Sequence, residues 1–226
     1  MTQERWWERW GPLSGVAFVA LMIIGFAISG DSPSNDDSDA KITAFVGKHS
    51  EQVQNIAGFF VALAAVLFLL AFFAALRSRL MHEEGGLGRL GTLAFGAGIA
   101  SAVFLFSAIS LFVSPLALAN DAEKFPPDPG IYRITQTVGY ELWIASTVCG
   151  ALVVWATSAV VLQTGFLPRW FGWFGIVAGV ISLFAVFFFP VFVFWLWIIV
   201  AAILFVVRRS TAPTTRTGSV QPPVAS

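Results

Sequence analysis

Long stretches of this chain carry no charged side chain, and no other feature of the sequence constrains its fold as strongly. All 13 lysine and arginine residues lie in short segments between apolar runs. Charged residues make up 12% of the chain, against about 25% in a typical soluble domain. A helix of a soluble domain needs a polar face toward water, and these runs have none. The pattern predicts an integral membrane protein.

The apolar runs are long enough to cross a bilayer as helices. A hydrocarbon core about 30 Å thick requires about 20 helical residues, and only helices or closed barrels satisfy their backbone within it. The runs are continuous rather than alternating, which favours helices. We predict an all-α bundle with six transmembrane helices, at about 11–29, 55–76, 90–113, 138–162, 171–189 and 191–207.

The last two predicted spans come from one uninterrupted apolar block, Phe171 to Val207. As a single straight helix this block would be about 55 Å long, far longer than a bilayer is thick. Pro190 lies near its middle, and proline breaks a helix because it removes a backbone hydrogen bond. We therefore predict a hairpin at Pro190. The membrane domain then spans residues 1–209, and the Thr-, Ser- and Pro-rich segment 210–226 is predicted to be a disordered cytoplasmic tail.

The basic residues are sorted by side, which predicts an orientation. Lysine and arginine are enriched in the cytoplasmic loops of membrane proteins. In the six-span arrangement one side carries Arg5, Arg9, Arg77, Arg79, Arg89, Arg169, Arg208, Arg209 and Arg216, and the other carries Lys41, Lys48, Lys124 and Arg133. Both termini are therefore predicted to be cytoplasmic. The first apolar run is longer than the core of a usual signal peptide, so we expect it to be retained rather than cleaved.

The segments on the outer side also carry recognisable patterns. Residues 30–40 are rich in Asp, Ser and Pro, and we expect a mobile outer loop there. Residues 41–54 are expected to form an interfacial helix, and 114–128 an irregular connection. Asp128 followed by Pro129 is typical of a helix N-cap with proline at the first helical position, which predicts a fourth helix beginning near Pro129.

One acidic residue lies at the edge of the fourth predicted span. Glu141 is roughly 30 Å from Leu162 at 1.5 Å per residue, near the outer boundary of the hydrocarbon core. Acids at membrane depth are costly and often functional. Two interpretations are open: an outer polar vestibule that binds a ligand or a proton, or interfacial solvation of Glu141 and pairing with Arg133. The residues predicted to line the vestibule are Glu141, Tyr140, Gln136, Arg133, His49, Gln52 and Asn55.

Small residues at a spacing of four predict helix contacts. This spacing lets two helix backbones approach closely in a membrane. The residues predicted to pack in this way are Gly11, Gly15, Gly96, Ala100, Gly175 and Gly179. The expected contacts lie within the bundle, and contacts between copies of the chain are the alternative.

Several other motifs argue against particular functions. Residues 86–91 match G-x-G-x-x-G, but they follow a predicted membrane helix rather than a strand, so we interpret them as a flexible turn. The single cysteine, Cys149, excludes an intrachain disulfide, and two histidines on opposite sides make no convincing metal site. A net charge of +0 gives no reason to expect nucleic-acid binding. We predict no metal and no cofactor.

The layout also resembles a family of uncharacterised six-helix bacterial integral membrane proteins, a domain of unknown function. Three segments carry the resemblance: 45–49 (FVGKH) before the second helix, 84–90 (EGGLGRL) in an inner turn, and 164–173 (TGFLPRWFGW) before the fifth helix. The resemblance covers nearly the whole chain except the tail. It implies a six-span topology and a bacterial cytoplasmic membrane, and it implies no activity or site.

Three functions are compatible with these patterns. The leading hypothesis is a non-enzymatic membrane protein that is structural, accessory or binds a small lipophilic ligand, with the lipid bilayer as its surroundings. The alternative is a small transporter or channel whose path passes Glu141. The third is an intramembrane enzyme, which would require polar residues from several helices to converge at one depth.

Overall fold

A computed structural model describes residues 11–85, 87–120 and 125–209. Residues 208 and 209 are described as backbone only. This part of the chain contains seven α-helices and no strand. The helices are α1 (Ser14–Ser29), α2 (Asp39–Gly47), α3 (His49–Glu84), α4 (Arg89–Ala119), α5 (Pro129–Thr164), α6 (Arg169–Ser182) and α7 (Pro190–Arg209). Two short 3-10 turns accompany them, Gly11–Leu13 before α1 and Ala185–Phe187 before α7. The predicted all-α architecture is confirmed; the predictions for Arg5, Arg9, Lys124, Arg216 and the tail lie outside the described residues.

Five of these helical segments have the length and apolar composition of membrane spans. They are Gly11–Ser29, His49–Glu84, Arg89–Ala119, Pro129–Thr164 and Pro190–Val207. The helix α6 has 14 residues and is therefore about 21 Å long, shorter than a hydrocarbon core. The helices are those of a multi-pass membrane protein.

Six of the helices pack as a closed series of neighbours. Along the series α1 packs on α3, α3 on α4, α4 on α5, α5 on α6, and α6 on α7, which returns to α1. Gly15 shows the closure, because a Cβ placed on it would lie 2.8 Å from side-chain atoms of both Phe72 on α3 and Ile198 on α7. Large aromatic side chains such as Phe18 and Trp197 are fully buried inside.

The last apolar block folds back at the predicted proline. The helix α6 ends at Ser182, and α7 begins at Pro190, so the break is confirmed but the first arm ends seven residues earlier than predicted. The residues between them include Phe188, which has a positive φ of 64°. The two arms then run side by side: the Phe171 ring stacks on Trp197 with 5.7 Å between centroids.

The helix α4 continues past the expected end of its span. We predicted an irregular connection from Ser114, but the helix runs through Pro115 to Ala119. Proline has no N–H, so the carbonyl of Leu111, four residues earlier, loses its helical partner. The Ser114 hydroxyl donates to that carbonyl at 2.9 Å. This local replacement explains why the proline does not end the helix.

Candidate functional site

At the end of the bundle where α1 ends and α5 begins, the segment 30–38, here called the strap, is tied to the start of α5. Its predicted irregular backbone is present, but hydrogen bonds hold it in place rather than leaving it unattached. The Arg133 Nε donates to the Asn35 carbonyl at 2.9 Å, and its Nη2 donates to the Asp37 carbonyl at 2.8 Å. Its Nη1 lies 2.7 Å from the Asp39 carboxylate. All three nitrogens of Arg133 therefore bind the strap or the residue that follows it.

A buried tyrosine supports the strap from below. The Tyr132 side chain is fully buried, and its hydroxyl donates to the Pro33 carbonyl at 2.8 Å. Around it pack Ile42 and Val46 of α2 and Ala119 of α4. This small apolar cluster joins α2, the end of α4 and the start of α5. Through Tyr132, the strap is therefore connected to three helices.

Within the strap, Asp37 organises the turn that leads into α2. Its carboxylate accepts hydrogen bonds from the Lys41 ammonium at 2.8 Å and from the Ser34 N–H at 2.9 Å. These two bonds, the Lys41 bond first, hold the pKa of Asp37 below its usual 3.8. The carboxylate is therefore ionised at neutral pH and stabilises the turn.

Next to the strap, a cavity of about 180 Å³ opens between α1, α3, α4 and α5. Its floor is made of buried residues, among them Met22, Gly25 and Gly58, and its outer rim includes Gly30 and Ser32 of the strap. Other residues that line it are Phe26, Ser29, Asn55, Phe59, Ala62, Ile109, Phe112, Val113 and Gln136. The lining contains no charged residue and is mainly apolar.

The floor exists because two small residues let α1 and α3 approach closely. A Cβ on Gly25 would lie 3.2 Å from the Gly58 carbonyl oxygen, and one on Gly58 would lie 2.9 Å from the Gly25 carbonyl oxygen. Larger residues at either position would push the helices apart. The backbones therefore meet at the bottom of the cavity, while the wider space above them stays open.

Two amides supply the main side-chain polarity of the cavity. The Asn55 Nδ2 donates to the Glu51 carbonyl at 2.9 Å and to the Ser29 carbonyl at 3.4 Å. The Gln136 Nε2 donates to the Phe112 carbonyl at 3.2 Å. Each amide thus uses its nitrogen within the protein, and its oxygen can still accept a hydrogen bond.

The structure brings together two of the seven residues predicted to line a vestibule, namely Asn55 and Gln136. Arg133 holds the strap, and the buried Gln52 donates from Nε2 to the Val46 carbonyl at 2.9 Å, at the end of α2. The Tyr140 hydroxyl donates to the Val186 carbonyl at 2.8 Å, on the turn between α6 and α7. The remaining two, His49 and Glu141, are exposed and do not line the cavity.

The residues predicted to form helix contacts also separate into two groups. Gly15, Gly175 and Gly179 lie where a Cβ would come within 3.2 Å of another helix, and Gly11 is buried. Gly96 is exposed, with no heavy atom within 4 Å of its Cβ position, and Ala100 is half-buried. The structure also shows contacts of the first kind at four glycines that were not predicted. They are Gly98, Gly139, Gly150 and Gly172, where a Cβ would meet the side chains of Phe73, Phe112, Phe194 and Leu162, respectively.

The glycine-rich turn between α3 and α4 is a helix cap in the part that the structure describes. The Glu84 carboxylate accepts hydrogen bonds from the Leu90 and Gly91 N–H groups, both at 3.0 Å. A carboxylate at a helix N-terminus satisfies free N–H groups there. Gly86 lies outside the described residues. Among the described residues, no group of three or more His, Cys, Asp or Glu side chains could hold a metal ion.

The fold and the cavity define a multi-pass, membrane-type helical bundle with an uncharged pocket at one end. The chain belongs to the family DUF4386, a domain of unknown function, whose sequence pattern matches residues 13–212. The predicted resemblance to an uncharacterised family is thereby confirmed. Comparison with curated proteins and with solved structures gave no match.

Proposed function

We propose that this protein is a non-enzymatic membrane component that binds a small, uncharged lipophilic ligand beside the strap. The observation that carries the proposal is the cavity of about 180 Å³ between α1, α3, α4 and α5. Apolar cavities with a few polar groups are the usual form of small-molecule sites. A charged ligand would have no counter-charge in this lining, and its desolvation would be unfavourable.

The size of the cavity limits what enters it. An engineered cavity of about 150 Å³ holds one benzene molecule, whereas sites for drug-sized ligands measure about 300–1,000 Å³. A space of about 180 Å³ therefore suits one ring or a short length of acyl chain. The oxygens of Asn55 and Gln136 would accept a hydrogen bond from a hydroxyl or amide group of that ligand. A lipid-like alcohol fits this description better than a phospholipid headgroup does.

We also propose that the chain crosses a bacterial cytoplasmic membrane six times, with both termini in the cytoplasm. Two contacts support a sixth crossing. The turn after α6 reaches the level of Tyr140, which lies 24 residues, or about 36 Å of helix, from Thr164 at the other end of α5. The Phe205 ring of α7 stacks on Phe166, just before α6, with 6.1 Å between centroids. The α6–α7 hairpin thus extends over about the thickness of a bilayer and returns.

The small transporter or channel predicted around Glu141 gains no support from this cavity. Glu141 is exposed on α5, on a different face from Gln136, and the cavity lining excludes it. A proton or substrate path through Glu141 stays a prediction, and the flux of a reconstituted Glu141→Gln variant tests it.

Photolabelling tests the binding proposal directly. The probe is a monoacylglycerol with a diazirine in its acyl chain, added to the purified full-length protein in detergent. Ala62→Leu places three more carbon atoms into the cavity, whereas Ala64→Leu adds the same atoms to the same helix at a position that does not line it. Since each buried methylene contributes about 0.8 kcal/mol, we expect Ala62→Leu to weaken labelling by about tenfold or more and Ala64→Leu to leave it unchanged.

The position of the label provides the second readout. We expect the labelled peptides to contain residues that line the cavity, on α1, α3, α4 or α5. Equal labelling of the Ala62→Leu and Ala64→Leu variants, or label confined to peptides without a cavity-lining residue, would contradict the proposal. A lysophosphatidylcholine probe with the same acyl chain should label the cavity more weakly, because its charged headgroup finds no partner there.

A further inference from the structure

The other end of the bundle contains an arginine, Arg79, two of whose side-chain nitrogens have no hydrogen-bond partner among the described residues. Arg79 lies on α3 two residues after Arg77, beyond the apolar part of the helix. Its Nε and Nη2 atoms are buried and have no hydrogen-bond partner among the described residues. Buried polar groups nearly always have a partner, and an unpaired buried cation is the most costly exception. The structure therefore points to a binding partner that none of the described residues supplies.

The two free nitrogens are those of one edge of the guanidinium. The Nε–H and an Nη2–H bond point in nearly the same direction, and their spacing matches two oxygens of a phosphate or carboxylate. An ammonium group cannot reproduce this paired geometry. The unused part of Arg79 is thus specific for an oxyanion with two adjacent oxygens, rather than for a single acceptor.

Nearby acids do not satisfy this edge. The Glu84 carboxylate is engaged with the N–H groups of Leu90 and Gly91 at the start of α4. The ion pairs observed in the described residues join Lys41 to Asp37, Lys48 to Glu51, and Arg133 to Asp39, all far along the chain from Arg79. The surroundings add cations instead: the Arg77 guanidinium lies over the Phe95 ring of α4, 5.1 Å from its centroid.

The depth of Arg79 in the bundle indicates where the oxyanion comes from. Leu76 and Leu80, on either side of it along α3, are almost completely buried, while Arg77 and Ser78 are exposed. Arg79 therefore lies where the apolar part of a membrane span gives way to charged residues. In a bilayer this level is occupied by lipid phosphates, and long basic side chains reach toward it from helix ends.

We propose that the half-buried Arg79 side chain turns outward at the end of α3, and that its Nε–Nη2 edge, which is closed off in this structure, then binds the phosphate of a phospholipid headgroup. Two phosphate oxygens accept its two N–H groups, and Arg77 contributes long-range attraction without a bidentate contact. The acyl chains of this lipid lie along the apolar part of the bundle. The site is separate from the cavity beside the strap, and its ligand is charged where that of the cavity is not.

Arg79→Lys is the informative variant because it keeps the charge and removes the paired edge. Arg77→Lys is the matched control, since it makes the same change two residues away at an exposed position. The measurement is native mass spectrometry of delipidated full-length protein titrated with phosphatidylglycerol. We expect the wild type and Arg77→Lys to retain this lipid equally, and Arg79→Lys to retain several-fold less.

Thermal unfolding separates the sources of the oxyanion. We expect phosphatidylglycerol to raise the melting temperature of the wild type but not of Arg79→Lys, and inorganic phosphate at the same concentration to have little effect. Full protection by inorganic phosphate alone would overturn the assignment to a lipid. Equal lipid retention by wild type and Arg79→Lys would overturn the site itself. So would a melting temperature that Arg79→Lys lowers equally with and without lipid, because the partner would then be part of the protein.

Discussion

At the scale of single residues, Arg133 shows how strongly a role depends on its surroundings. Its spacing of eight from Glu141 on one helix suggested a pair or a shared vestibule. In the structure its three nitrogens bind the carbonyls of Asn35 and Asp37 and the Asp39 carboxylate. It is the main polar link between the strap and α5, so we expect its replacement to weaken the attachment of the strap.

Replacing Arg133 with glutamine tests this role. The variant loses the ion pair and most of the hydrogen bonds, which are partly exposed, so we expect a cost of about 1–2 kcal/mol in the free energy of unfolding. Hydrogen exchange in residues 30–38 should become faster, because the strap then detaches without unfolding the bundle. The measurement is hydrogen exchange with mass spectrometry of the purified protein.

Arg169→Gln serves as the control, since it also removes one positive charge, from an exposed side chain at the opposite end of the bundle. It should leave exchange in the strap unchanged. Unaltered protection of residues 30–38 in Arg133→Gln would show that Tyr132 and its apolar cluster hold the strap without help from the guanidinium.

At the scale of the elements, α4 shows how a helix tolerates an internal proline. The Leu111 carbonyl, which Pro115 leaves without its usual partner, accepts the Ser114 hydroxyl instead. The helix can therefore continue to Ala119, which packs in the cluster beneath the strap. A local side-chain contact thus determines where the C-terminal end of α4 lies.

A double-mutant cycle tests the link between these two residues. Ser114→Ala should destabilise the protein by about 1 kcal/mol, because the Leu111 carbonyl loses its remaining partner. In a Pro115→Ala background the backbone N–H is restored, so the same serine change should cost much less. Denaturant unfolding of the four proteins gives the coupling energy.

Ser110 provides the control within the same helix. Its hydroxyl donates to the Phe106 carbonyl at 2.9 Å, and no proline removes the backbone partner of that carbonyl. Ser110→Ala should therefore have little effect in either background. A cost for Ser114→Ala that is the same with and without Pro115 would contradict the explanation.

At the scale of the whole molecule, the closed series of helices follows from the way the last apolar block folds back. The short α6 and the returning α7 complete the bundle against α1. The exposed residues of the turn between them, such as Phe184, Phe187 and Phe189, are apolar, so their side chains are suited to contact with lipid. The orientation and the number of crossings can be tested together.

Single cysteines in a Cys149→Ser background report the topology in intact cells. With six spans and cytoplasmic termini, a cysteine at Ser34 in the strap should react with an impermeant thiol reagent. Cysteines at Leu87, in the turn between α3 and α4, and at Ser219 in the tail should react only after the cells are permeabilised. Labelling of Ser219→Cys in intact cells would indicate five crossings, and labelling of Leu87→Cys would reverse the orientation.

The sequence by itself determined which segments form helices and where the chain reverses. A continuous apolar run is a local property, and so are the Asp128 N-cap and the break at Pro190, which the structure reproduces. An apolar run that is uniform along its length, however, does not indicate how its helix is rotated about its own axis. Because apolar residues cover every face of such a helix, the pattern does not tell which face meets a neighbour and which meets lipid.

The tertiary structure decided that rotation, and with it the candidate sites. It placed Asn55 and Gln136 in the lining of one cavity, although 81 positions separate them in the sequence. It left Glu141 exposed and outside that lining. It also left one edge of Arg79 buried, with no hydrogen-bond partner in the described part of the chain. Each of these features depends on how close two helices approach and in which direction a side chain points, which are properties of packing rather than of any single segment.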